Sequence, residues 1–255
     1  MTRLIAAALI SMTCWSPVLA DDEPARTSLV ERAITGDLHY LDERPEAAAL
    51  ELLDLEDNDR RAAEAVLEAH RDRVETAVRG SLDLAADLMD VLDEPEARNK
   101  LAAEMQRRLG PEVLPSLVDE MARALPGGKG RELRNHLREY WRAVLQDARL
   151  MPEPTKEYMQ ARDAVYAREQ NRLFANDIRD ILADWGEAVM SSTVDLADAA
   201  GVDASQAEAF QGILDEAVTT ESLDAIRTQR RGQFVQMIRV LNEEQVLAML
   251  DAVEG

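Results

Sequence analysis

Catalysis by a protein chain needs a nucleophile, an acid–base pair or a bound metal, and few residues here can supply one. The chain has one cysteine, Cys14, and three histidines, His39, His70 and His136, far apart in sequence. Glu132, His136 and Glu139 stand at i, i+4 and i+7, so a helix would carry all three on one face. Carboxylate oxygens and an imidazole in that arrangement could hold a metal ion. The segment is rich in arginine, however, and surface ion pairs are the competing use of those carboxylates. The paired Glu-x-x-His signature of di-iron bundles is absent. Gly127-Gly128-Lys129-Gly130 follows no strand pattern and lacks a trailing Ser or Thr, so it is no phosphate loop. No Gly-x-Ser-x-Gly elbow occurs. The expectation is a non-enzymatic protein without a cofactor or metal, with Glu132, His136 and Glu139 as the weak metal candidates.

His70 belongs to a periodic stripe, and the stripe defines the element that must hold it. Ala63, Leu67, His70, Val74, Ala77, Ser81, Leu84, Leu88 and Val91 recur in steps of four and three. A period near 3.5 keeps one side of a helix against a partner. A single long helix is predicted from about Asp59 to Leu92, bent at Gly80. His70 is expected to be partly buried and hydrogen-bonded across helices, with a pH switch as the sharper alternative. Further helices are expected from Pro95, over the Leu133–Leu145 face, from about Thr155 toward Ala200, and from Asp203, Thr219 or Thr220, and Asn242. Strand signals are almost absent, and Ala, Leu, Glu, Arg and Asp dominate. The fold class is therefore all-α: an antiparallel multi-helix bundle whose spine is the long helix of the N-terminal half. Pro126-Gly127-Gly128 is the strongest punctuation. It separates a helical half at 51–126 from another at 129–255, after a partly irregular segment at 21–50; the halves can also form one continuous domain.

The chain opens with Met1-Thr2-Arg3, an apolar run from Leu4 to Ile10, and Val18-Leu19-Ala20 before Asp21-Asp22. This order is that of a secretory signal peptide over residues 1–20, cleaved after Ala20; lipidation of Cys14 is the rival reading. The run is too short to span a bilayer, and no later run is longer. The mature chain then holds no cysteine, so stability must come from apolar burial, and it is expected in the periplasm or secreted. The formal charge is −21, and losing Arg3 with the leader makes it −22. Such acidity argues against nucleic acid as a partner. Residues 129–179 carry 11 Lys/Arg against 8 Asp/Glu, whereas 180–226 carry 11 Asp/Glu and no Lys or Arg. Attraction between these stretches within the fold is expected, with two faces of a binding surface as the alternative.

Four stretches look like helix starts: Leu55–Asp59, Leu92–Glu96, Val202–Gln206 and Leu241–Gln245. In each, a capping residue precedes a polar side chain that can reach back to it. The last two resemble the Leu-Thr-x-x-Gln motif of the Spy/CpxP family of periplasmic helical proteins, with Asp203 and Asn242 in place of Thr. The first two lack the final Gln. The resemblance covers about a third of the chain. It implies an exported helical protein that holds unfolded clients under envelope stress, through a surface mixing charged and apolar groups.

The middle of the chain is the expected client surface. Tyr140, Trp141, Tyr158, Tyr166, Phe174 and Trp185 cluster there in sequence; burial in the core is their competing use. The leading expectation is a chaperone-like holdase. The alternatives are a scaffold that binds one folded partner along a helix face, and a metal-sensing domain. The partners expected are protein chains: unfolded clients, a folded partner, or a second copy in a homodimer.

Overall fold

A computed structural model describes residues 27–109, 116–150, 155–216 and 222–254. The leader at 1–20, Cys14 and the helix starts near Thr219 and Thr220 lie outside them. The fold is all-α, with helices packed on helices, as the sequence predicts. Among the described residues its one departure is a two-stranded antiparallel hairpin, β1 (Glu31–Arg32) and β2 (Leu38–His39). Gly36 turns it with φ 90°, a conformation that suits glycine. The helices are α1 (Pro45–Glu51), α2 (Asp57–Arg79), α3 (Leu82–Asp90), α4 (Pro95–Leu109), α5 (Leu117–Ala124), α6 (Lys129–Asp147), α7 (Lys156–Ser191), α8 (Leu196–Ala199), α9 (Ala207–Leu214), α10 (Leu223–Val240) and α11 (Glu243–Glu254).

The predicted spine is corrected. The helix expected from Asp59 to Leu92 is two helices, because Ser81 leaves the helical region at φ −157°, ψ 41°. The Gly80 N–H still bonds the Thr76 carbonyl and closes α2. The break re-aims the stripe, so Leu82, Ala85, Ala86 and Leu88 of α3 are buried alongside Val74 and Val78 of α2. The spine is α7, with 36 residues. It opens where the sequence indicates: the Thr155 hydroxyl accepts from the Tyr158 N–H at 3.1 Å. It ends at Ser191 instead of running on toward Ala200.

α7 packs most extensively on α10, and glycine makes the approach possible. A Cβ on Gly186 would lie 2.5 Å from the Arg230 carbonyl oxygen, so only hydrogen fits there. Gly130 of α6 meets the Ala122 backbone of α5 in the same way. Two apolar cores result. One joins α2 and α3 to the second half of α7, α10 and α11, through residues such as Val78, Ile178, Phe234 and Met249. The other joins the hairpin and α1 to α5 and α6, through Leu41, Leu53, Met121, Leu133 and Tyr140. Neither core respects the division at Pro126–Gly128, since each draws residues from both sides of it.

Two of the four helix starts behave as reciprocal capping boxes. Asp203 Oδ1 accepts from the Gln206 N–H at 3.1 Å, and Gln206 Oε1 accepts from the Asp203 N–H at 3.2 Å. Asn242 and Gln245 repeat this at 3.0 Å in both directions. The two glutamines then face each other. Each Nε2 donates to the other Oε1 at 2.9 Å. Gln206 also donates to the Val240 carbonyl at 3.0 Å, and Gln245 to the Gly201 carbonyl at 3.1 Å. The arrangement is a local two-fold that ties α9 to α11. At the first start, Glu56 precedes α2 with no side-chain cap.

The ion pairs only partly follow the expected attraction between the middle and the acidic stretch. Asp180 pairs with Arg179 at 3.1 Å, but Asp184 pairs with Arg71 and Arg227, and Glu187 with Arg230 at 3.4 Å. Three of these four arginines lie outside residues 129–179, so the acids are neutralised by α2 and α10 more than by the middle of the chain.

Candidate functional site

The residues predicted to act together separate into a buried set and a surface set. Glu132, His136 and Glu139 lie on α6, as expected, but form no metal site. Among the described residues, no three His, Cys, Asp or Glu side chains converge closely enough to hold an ion. Glu132 is drawn to Lys129 at 3.0 Å instead, the ion-pair use that the segment's basic composition favours.

Tyr140, Phe174 and Trp185 are enclosed, at 0%, 1% and 6% exposure. As client-binding residues they are corrected: rings this deeply buried offer no surface to a polypeptide client. Trp185 donates its indole N–H to Glu75 at 3.1 Å and stacks edge-on with Phe234 at 5.8 Å. Phe174 is core. Tyr140 donates its hydroxyl to Glu169 Oε1 at 2.6 Å. Arg172 grips both oxygens of that carboxylate, at 2.9 Å from Nε and 2.7 Å from Nη2, and donates to the Leu41 carbonyl at 2.7 Å. Burial and the Glu169 charge push the Tyr140 hydroxyl far above the ordinary tyrosine value, so it stays protonated. This network is a closed joint between α6, α7 and the segment before α1.

Trp141, Tyr158 and Tyr166 are half-buried, and they mark a different surface. Residues 156–168, the first third of α7, contain no buried side chain; burial begins at Glu169. Tyr158, Ala161, Arg162, Val165 and Tyr166 are half-buried at i, i+3, i+4, i+7 and i+8, a single helix face. The rest of the arm is exposed, including Met159 at 42%. Its ring contacts with α6 lie at one end: Tyr166 meets Trp141 edge-on at 5.2 Å, and Trp141 meets Tyr140 at 5.5 Å. The Arg162 guanidinium stands over the Tyr166 ring at 5.8 Å and pairs with Asp163 at 2.7 Å. At about 1.5 Å per residue the arm is roughly 20 Å long. It presents aromatic rings and a thioether beside cations whose charge is partly held, groups that can pack on and hydrogen-bond to another surface. Sequence patterning located the aromatics but could not sort them, because core and surface faces of α7 share one helical repeat.

Set against known proteins, the chain matches no family model, no curated protein and no solved structure.

Proposed function

We propose that this chain is an exported, non-enzymatic binding module that engages one folded protein partner along the first third of α7. The observation that carries the reading is the only partly covered aromatic face of residues 156–168, on a helix whose remaining length is packed into the fold. A narrow helix face suits a groove on a structured partner. The predicted holdase surface mixed charged and apolar groups, and three of its six aromatics, Tyr140, Phe174 and Trp185, are enclosed. The leader-like residues 1–20 support export of the module.

A photo-crosslinking amino acid at Tyr158 or Met159, in the full chain in its own cell, tests the partner. One discrete adduct from both positions, and none from a control at exposed Glu208, is expected. A ladder of many adducts would replace the scaffold with the holdase; no adduct from either position would end both. Export is tested separately, by sequencing the N-terminus of the accumulated protein. Asp21 at the start supports it, and Met1 on a cytosolic protein overturns it.

The holdase keeps one observation in its favour. The Gln206–Gln245 pairing joins the two stretches that resemble the Spy/CpxP motif. Suppression of aggregation of a denatured client, read by light scattering, would favour it; none at excess protein would remove it.

A further inference from the structure

Away from the α7 arm, a cavity of about 330 Å³ opens between α1, α2, α4, α5 and α7. Its rim includes exposed Ser116 and half-buried Gln106, Val118 and Gln170. Its deep wall is formed by Glu46, His70 and Phe174, at 3%, 7% and 1% exposure. Two of these are polar and under-satisfied; the Asp177 carboxylate comes only to 4.0 Å from His70 Nε2, so the hydrogen bond across helices expected of His70 is not formed. Glu46 Oε2 and both ring nitrogens of His70 have no hydrogen bond among the described residues. Buried polar atoms without a partner cost free energy, and a side chain of this kind facing a cavity points to a ligand.

The charges at the cavity decide the ligand's class. Arg44 also lines it, but its charge is engaged. Nε of Arg44 donates to both Asp177 oxygens, at 3.2 and 2.9 Å, and Nη2 donates to the same carboxylate. Burial works against the Arg44 charge, yet the Asp177 carboxylate outweighs it and holds the guanidinium protonated. His70 is held neutral by burial and by the nearby Arg44 and Arg73 charges. Arg44 spends these hydrogen bonds on Asp177, so two acids share one guanidinium, and Glu46 feels its charge while Oε2 receives no hydrogen bond. A ligand that fits must bring N–H donors and a positive charge. It also needs a short carbon body for Val118, Leu117 and the Phe174 ring.

We propose that this cavity binds a small aliphatic primary amine, its ammonium group on Glu46 and its chain against Leu117, Val118 and Phe174. Gln106 and Gln170 supply amide oxygens at the rim that can accept from a second amino group, so a short diamine fits best.

Titration calorimetry of the full chain with 1,4-diaminobutane and n-butylamine tests this, with 1-butanol and butyrate as shape-matched controls. Saturable binding of the amines alone is expected, the diamine tighter, with Glu46→Gln weakening both at least tenfold while circular dichroism is unchanged. Val118→Trp, which fills the space without touching the acid, should remove binding as well. No heat with either amine overturns the proposal. So does equal binding of butanol or butyrate, or unchanged amine affinity in folded Glu46→Gln.

Discussion

Two glutamates are almost equally hidden in this protein, Glu46 at 3% and Glu169 at 4% exposure, and their surroundings could hardly differ more. Glu169 is satisfied on both oxygens by Arg172 and Tyr140. Glu46 has an oxygen with no partner among the described residues and borders a cavity. Burial pushes the Glu46 carboxyl above its ordinary value, and the Arg44 charge only partly opposes this. A buried charge that is paired and fully hydrogen-bonded fixes geometry; one left short costs stability and is kept for another reason. The first acts as a joint, the second as a receptor.

The sharpest way to break that contrast is to damage the joint. Glu169→Gln strands the Arg172 charge and leaves one amide oxygen where two carboxylate oxygens accepted from Arg172 and Tyr140. Breaking a buried pair by removing one partner costs roughly 3 kcal/mol, so urea denaturation should show a large fall in midpoint at unchanged slope. A loss below about 1 kcal/mol would mean that Arg172 finds water easily, and the comparison would fail.

His70 gives the next largest effect. Its imidazole is lowered from 6.5 to about 4, by burial first and then by Arg44 and Arg73. The unfolded chain therefore takes up the proton first as pH falls. The stability this group contributes is complete above about 6.5 and is lost as pH drops toward about 4. The loss is about 2 kcal/mol after allowance for solvent screening. His70→Gln should flatten that part of the wild-type profile. Equal slopes for the two proteins between pH 7 and pH 4.5 would show that His70 is charged in the fold.

The Gln206–Gln245 pair extends the satisfied side of the contrast. Gln206→Ala and Gln245→Ala should each cost about 1.5 kcal/mol, since each removes a cap contact and cross-bonds. Their effects should not add, with a coupling near 1 kcal/mol in a double-mutant cycle. Additivity would show that the glutamines serve only their own helices.

Much of this was legible in the sequence, and the reason lies in the range of each signal. Caps and apolar repeats act within a few residues, so Thr155 and the starts at Asp203 and Asn242 could be read directly. The 3.5-period stripe through His70 was also legible, but it continued past Ser81, where the backbone leaves the helix. Periodicity reports which residues share a face; it does not report a turn that preserves burial. Gly186 gave no local sign of its role, because its need arises from the Arg230 backbone on another helix. The Glu46 site was invisible for the same reason. Its residues come from several helices, and Glu46 in Pro45-Glu46-Ala47 reads as an ordinary acid in a first helical turn. The aromatics were found as a group but not sorted, because Tyr140 and Trp141 are neighbours in sequence with opposite fates.

The smallest effect is the most diagnostic, because its sign is unusual. A carboxyl whose folded value is raised favours folding only while protonated. That contribution is complete below about 4.5 and is lost as pH rises through the raised value. At neutral pH, Glu46 therefore works against the fold. Glu46→Gln should leave stability unchanged near pH 4 and raise it by about 1 kcal/mol at pH 7, visible as a higher Tm. The same change made at Glu169 lowers it. Opposite signs from one substitution at two equally buried sites would follow from partnership alone, since burial, charge and side-chain length are matched. If Glu46→Gln is instead destabilising at pH 7, then the Arg44 charge outweighs burial at Glu46, and the cavity has no claim on it.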